Sequence, residues 1–200
     1  MYTLYTIPGS CSTGIHILLS ELKQTFTLIE KNSLEDFDEI NPIGSVPVLD
    51  DNGFIIREGG AIALYLLEKH TNNILPTEIQ KKNIFIQKLL FNYATLQPAY
   101  NRLFFAMKHL QGSTQKEAYL AAAKELSRLW KTVDLQLTST PFFSGNKATI
   151  IDYLLCIYSH WGHAFDVEIT LGNNVTRMIK EVAQFPECQQ IFNDEGIVCK

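Results

Sequence analysis

The stretch Asn41-Pro-Ile-Gly-Ser-Val-Pro-Val-Leu49 restricts this chain more than any other. Pro47 stands inside an apolar, strand-like run from Val46 to Leu49. A proline cannot donate to a β-ladder, so it belongs at a sheet edge, a strand start or a bulge. X-Pro bonds are also the peptide bonds that become cis at modest cost. Two readings are open. Pro47 is an ordinary edge-strand proline, or a cis Val46–Pro47 bond turns the Val46 N–H and C=O outward. In the second case an extended peptide pairs with Val46 by strand addition.

The residues before this stretch read as a strand, a turn and a helix. Tyr2 to Ile7 is aromatic and β-branched and ends at Pro8-Gly9. Ser10-Cys11-Ser12-Thr13 comes next, then a helix-like apolar face at Ile15, Ile17, Leu18, Leu19 and Leu22. Ser10 or Ser12 is the expected N-cap. Cys11 thus falls near a helix N-terminus, where backbone N–H groups and the helix dipole favour thiolate. The alternative is a buried cysteine acting as a small hydrophobe. His16 is expected to be structural.

Phe26 to Glu30 reads as a second strand, Leu34 to Ile40 as a short acidic helix or loop, and Val46 to Leu49 as a third strand. Asp50-Asp-Asn-Gly53 has hairpin-turn chemistry, and Phe54 to Arg57 is the fourth strand. A helical crossover makes the first pair parallel; a tight turn makes the last pair antiparallel. Glu58-Gly59-Gly60 then opens a helix through Ile62, Leu64, Tyr65 and Leu67. Glu58 either complements the helix dipole or receives a ligand's ammonium, and the Gly59 and Gly60 N–H groups could hold a carboxylate.

His70 to Pro76 reads as a connection, and most of the chain beyond it is helical. Ile84 to Leu96 suits a long helix that continues past Pro98 with a kink near Leu96-Gln97. Gly112-Ser113-Thr114 is a break, Lys116 to Leu137 a second long helix, and Pro141 to Gly145 a loop. Thr149-Ile-Ile-Asp152 has capping-box form, the Thr149 hydroxyl accepting from the Asp152 N–H and the Asp152 carboxylate from the Thr149 N–H. Asn174 to Phe192 reads as short helices divided at Phe185-Pro186. Trp161 and Phe165 are expected in the core.

A formal net charge of -4 with no basic block argues against nucleic acid as a partner. No apolar run reaches the ~18 residues of a membrane span, and the N-terminus lacks secretory-signal form. Cys11, Cys156, Cys188 and Cys199 form no CxxC pair and no metal-ligand spacing with histidine. Free thiols in a reduced, cytoplasmic protein without a metal are expected.

Taken together, Pro-Gly-Ser-Cys-Ser, Asn-Pro-x-Gly-x-Val-Pro-x-Leu and Glu-Gly-x-x-Ile-x-x-Tyr-Leu resemble the soluble glutathione transferases, most of all the bacterial beta class. The resemblance implies an α/β thioredoxin-like N-terminal domain with a four-stranded mixed sheet, followed by an all-α helical domain. The expected division is residues 1–75, a linker at 76–82, and helices over 83–200. It implies that Cys11, Val46, Pro47, Glu58, Gly59 and Lys31 bind glutathione, with Glu58 and Gly59 at the γ-glutamyl end. Cys11, Ser10 or Tyr5 would stabilise its thiolate. Gln97 aligns with the histidine of the beta-class pattern and can donate a hydrogen bond without shuttling a proton. Tyr5, Gln97, Tyr100, Phe104 and Phe105 are the expected walls of a pocket for a hydrophobic electrophile. Thr149 and Asp152 match the capping box of the family's buried helix.

The function implied is conjugation of glutathione, as co-substrate, to small hydrophobic electrophiles by a homodimer. One alternative is glutathione-dependent thiol–disulfide or peroxide reduction, with Cys11 attacking. Another is a non-catalytic protein that keeps the fold for ligand binding.

Overall fold

The N-terminal half is built on strands β1 (Tyr2–Thr6), β2 (Phe26–Glu30), β3 (Val48–Asp51) and β4 (Phe54–Arg57). In the computed structural model, which describes residues 1–199, they form one sheet in the order β2-β1-β3-β4. β1 runs parallel to β2 and antiparallel to β3, with Tyr5 opposite Ile29 and Val48; β3 and β4 are antiparallel. The strand after the proline starts at Val48, two residues later than the sequence suggests, because Pro47 has no N–H for the ladder. Asp50 and Asp51 are strand residues, so the turn narrows to Asn52-Gly53. Both have positive φ, 53° and 93°, as a two-residue hairpin requires.

Alternation along β1 buries Tyr2, Leu4 and Thr6 on one face. Helices α1 (Ser12–Glu21) and α3 (Gly59–Lys69) pack together against that side. The short helix α2 (Phe37–Ile40) lies opposite, where the Tyr5 and Phe37 rings stand 5.9 Å apart.

The helical half comprises α4 (Ile79–Phe91), α5 (Gln97–His109), α6 (Gly112–Gln136), α7 (Ile150–Trp161), α8 (Asn173–Val182) and α9 (Pro186–Asp194). Residues 79–82, expected as linker, are already helical, and α6 begins at the glycine expected as a break. The expected kink is a π-helical turn, Asn92–Leu96, one turn earlier than Leu96-Gln97. Pro98 cannot donate to the preceding turn, and a π turn is one way a helix absorbs such a misfit.

Every residue of α7 from Ile150 to Ser159 is buried, which fits its nearly unbroken apolar sequence. It packs on α1, α4, α5 and α8 and so joins the two halves. At the α1 crossing, a Cβ on Gly14 would lie 2.8 Å from Leu154 Cδ2, so glycine permits the approach. At the start of α7, Asp152 Oδ2 accepts from the Thr149 N–H at 3.1 Å. Thr149 Oγ1 accepts from the Ile151 N–H at 3.3 Å, and the expected capping box with Asp152 is formed. No helix among the described residues is long and apolar enough to cross a membrane.

Candidate active site

The Val46–Pro47 peptide bond is cis. Val46 is partly exposed, and its carbonyl accepts from the Cys11 thiol, Sγ to O 3.6 Å. Among the described residues no intramolecular partner takes the Val46 N–H. The loop before it is held by Asn41 Nδ2, which donates to the Ser45 carbonyl at 2.7 Å. The Lys31 ammonium donates to the Gly44 carbonyl and sits 5.3 Å from the Phe37 ring centroid. Lys31 therefore brings a cation to the loop that leads into the cis bond.

Cys11 stands at the N-cap position of α1, although its side chain does not cap the helix. The expectation of a depressed thiol pKa is overturned. Cys11 is 5% exposed, and burial pushes its thiol up to about 11. A hydrogen bond from Gln97 pulls the other way, and the Glu58 charge adds to the rise. Desolvation outweighs the helix N-terminus here because the sulfur is enclosed instead of facing water. Gln97 Nε2 donates to Cys11 Sγ at 3.5 Å, and its Oε1 accepts from the Tyr158 hydroxyl at 3.3 Å.

The two serines flanking Cys11 are tied to one another. Ser10 Oγ and Ser12 Oγ are 2.7 Å apart, and Ser12 Oγ is 2.6 Å from Thr6 Oγ1. Ser10 Oγ also accepts from the Ser12 N–H at 3.2 Å. Tyr5 is not among the hydrogen-bond partners of Cys11 in the described residues; its ring packs toward Phe37.

Glu58 precedes α3 with φ 69° and ψ 115°, is exposed, and forms no ion pair among the described residues. Gly59 and Gly60 are the first, buried residues of the helix. The first N–H groups of a helix have no partner within it. An exposed carboxylate thus stands beside a set of donors, one suited to an ammonium and the other to a carboxylate.

A cleft of about 400 Å³ opens beside Ser10, with Gly9, Phe104, His160 and Trp161 among its walls. Phe104 is on the cleft, as the sequence leads one to expect. Trp161 packs against the core and also forms part of this wall: its indole N–H donates to the Gly9 carbonyl at 2.7 Å, and its ring meets Phe104 edge-on at 5.6 Å. Tyr100 and Phe105 do not line this cleft. Tyr100 is fully buried and accepts from Trp130 Nε1 at 3.0 Å. Phe105 is 61% exposed on a separate groove of about 500 Å³ between α5 and α6. Both lie on α5, whose apolar spacing does not by itself say which face meets the cleft.

Sequence reasoning missed three contributors. Glu195, far along the chain, accepts from the Gly9 N–H at 2.9 Å and the Thr13 hydroxyl at 2.5 Å, and pairs with His16 at 3.0 Å. His160 is shifted toward its neutral form by burial and by the His163 charge; its Nδ1 accepts from the Val198 N–H at 3.1 Å. Tyr93, in the π turn, lies against Gly59. No short motif marks any of them, since each acts through contacts distant in sequence. The four cysteines are free, and no cluster of three metal-ligating side chains occurs among the described residues.

The sheet order and the helices on its faces define a thioredoxin-like domain carrying a helical domain. Residues 1–68 match the family described as Glutathione S-transferase, N-terminal domain. The chain is 26% identical to Glutathione S-transferase GstA of Escherichia coli O157:H7, over 97% of this chain and 98% of that one. The structure superposes on a sphingomonad glutathione S-transferase complexed with glutathione with a TM-score of 0.84 and 25% identity, over 98% and 100% of the two chains. A glutathione-S-transferase from Xylella fastidiosa shares the fold with a TM-score of 0.88 and 20% identity, over 99% and 100%. Residues 1–68 thus carry the glutathione S-transferase N-terminal domain, and the chain over its length is similar to soluble glutathione transferases.

Proposed function

We propose that this protein transfers the glutathione thiolate to small hydrophobic electrophiles, in the manner of the beta class. The observation that carries the reading is the meeting of Val46, Cys11 and Gln97 at the start of α1, with Glu58-Gly59 within electrostatic reach. Glutathione would lie extended along Val46, its γ-glutamyl end at Glu58 and Gly59, its sulfur at Cys11 and its glycyl end toward Lys31. Residues 1–75 would bind glutathione and the helical half would supply the electrophile site, with Phe104 and Trp161 as its apolar walls.

A thiol held up to about 11 is almost wholly protonated at neutral pH. Cys11 then serves as an S–H donor toward the glutathione sulfur, with Ser10 and the α1 N–H groups adding to the stabilisation. Attack by Cys11 on a disulfide needs its thiolate, which weighs against the reductase alternative. A cytoplasmic homodimer fits the pattern of the family.

Two assays on wild type and Cys11→Ala test this. Conjugation of glutathione to a chloro-nitro-aromatic should persist in the variant at a reduced rate, and reduction of a glutathione mixed disulfide should be slow in both. Fast disulfide reduction lost in Cys11→Ala would transfer the assignment to the reductase. If glutathione fails to bind wild type at millimolar concentration, the protein is a non-catalytic member of its family.

A further inference from the structure

Gly59 and Tyr93 share one volume. A Cβ built on Gly59 would lie 2.4 Å from Tyr93 Cε1 and 2.5 Å from both Cζ and the hydroxyl oxygen. No side chain at residue 59 can coexist with the tyrosine where it stands. Tyr93 reaches this place from the helical half because the π turn Asn92–Leu96 changes the helix phase between α4 and α5. Its hydroxyl is buried and, among the described residues, hydrogen-bonds to nothing. Buried hydroxyls are ordinarily paired, and one without a partner calls for an explanation.

The place itself supplies one. The hydroxyl lies over the first turn of α3, whose leading N–H groups also lack partners within the helix. Glu58, one residue earlier, is exposed and forms no ion pair among the described residues. Burial, then the Cys11 and Glu58 charges, raise the Tyr93 pKa well above that of a free phenol, so it stays a donor. A donor, a helix start and a neighbouring carboxylate match the zwitterionic end of an α-amino acid.

We propose that Tyr93 supplies, from the helical half, the hydroxyl that glycine at position 59 cannot, and donates it to the α-carboxylate of the γ-glutamyl group. This rests on the glutathione-binding reading above. The γ-glutamyl site is then completed only when both halves of the chain are in place.

Calorimetric titration with glutathione and with cysteinylglycine, which lacks the γ-glutamyl group, tests the proposal. Tyr93→Phe should weaken glutathione binding by about tenfold, the scale of a hydrogen bond to a charged group, and leave cysteinylglycine unchanged. Its melting temperature should not fall, because the lost hydroxyl has no partner in the free protein. Gly59→Ser alone should bind glutathione poorly, and Gly59→Ser with Tyr93→Ala should recover most of the wild-type affinity. Equal glutathione affinity in wild type and Tyr93→Phe would overturn the proposal while leaving the glutathione reading intact. Equal losses for both ligands would also overturn it, making Tyr93 a structural residue. Failure of wild type to bind glutathione would remove both.

Discussion

Gln97 Nε2 donates to Cys11 Sγ at 3.5 Å, so the first residue of α5 touches the sulfur that precedes α1. The contact crosses from the helical half to the sheet half. It places an amide, which can donate but cannot change its protonation, over a thiol that burial keeps neutral.

This arrangement sets the reactivity of Cys11. The Gln97 hydrogen bond is the largest influence lowering a pKa that burial has raised to about 11. Gln97→Leu should raise it further. At pH 7.5, iodoacetamide treatment and then peptide mass spectrometry should show Cys199 labelled before Cys11, because a hydrogen bond from Cys156 lowers the Cys199 pKa against the effect of burial. Labelling of Cys11 should be slower again in Gln97→Leu. Rapid labelling of Cys11 at neutral pH in the free protein would contradict the buried, neutral thiol.

Asp152 should give stability an unusual pH slope. Its carboxylate accepts from the N–H groups of Phe143 at 2.7 Å, Ser144 at 3.3 Å and Thr149 at 3.1 Å, and from the Ser144 hydroxyl. Asp152→Ala leaves these buried donors unpaired, so it should cost on the order of 2–3 kcal/mol, more than a cap alone. Burial nevertheless raises the folded carboxyl to about 6, with the hydrogen bonds opposing it. Between the unfolded value of ~3.9 and about 6 the folded state binds more protons, so this group's contribution is full at low pH and is lost as pH rises. Denaturant unfolding of wild type and Asp152→Asn at pH 4 and pH 7 checks it. The gap between them should be wider at pH 4.

Glu195 should behave in the opposite sense. Burial pushes its carboxyl up, but His16, the Thr13 hydroxyl and the Gly9 N–H together hold it below the ordinary range. The stability it contributes is therefore present above the unfolded pKa of ~4.3 and lost as pH falls through the folded value. Glu195→Gln should be less stable than wild type at pH 7, by about 1–2 kcal/mol, with the two converging at acid pH. The variant should also loosen the Pro8-Gly9-Ser10 turn that borders the cleft, seen as faster amide exchange at Gly9.

The parts of the site that were legible lie close together in the chain. Pro-Gly-Ser-Cys-Ser and the Val46-Pro47 stretch announce themselves because turn, helix start and proline chemistry act over a few residues. The hairpin at Asn52-Gly53 and the start of α3 after Glu58 have the same local origin. The features that escaped are set by packing between distant segments. The Cys11 pKa depends on how completely the helical half covers it. The placement of Tyr93 against Gly59 depends on a π turn, which hydrophobic spacing does not reveal. The inward facing of Tyr100 and the outward facing of Phe105 depend on the helical phase after that same turn.

Trp161 offers a spectroscopic handle on the cleft. The chain has two tryptophans, and Trp130 is fully buried with its indole N–H on the Tyr100 hydroxyl at 3.0 Å. Trp161 stands on the cleft wall, its indole N–H on the Gly9 carbonyl at 2.7 Å and its ring edge-on to Phe104. A glutathione carrying a long S-alkyl chain should bring apolar surface against Trp161 and leave Trp130 untouched. Its titration should change the fluorescence of wild type and of Trp130→Phe, and should leave that of Trp161→Phe nearly constant. Trp161→Phe keeps an aromatic wall but loses the bond to Gly9, so the KM for the chloro-nitro-aromatic should rise several-fold, while glutathione, which the proposed function places along Val46, should keep its affinity. A signal that survives in Trp161→Phe would move the electrophile out of this cleft, with the α5–α6 groove beneath Phe105 next in line.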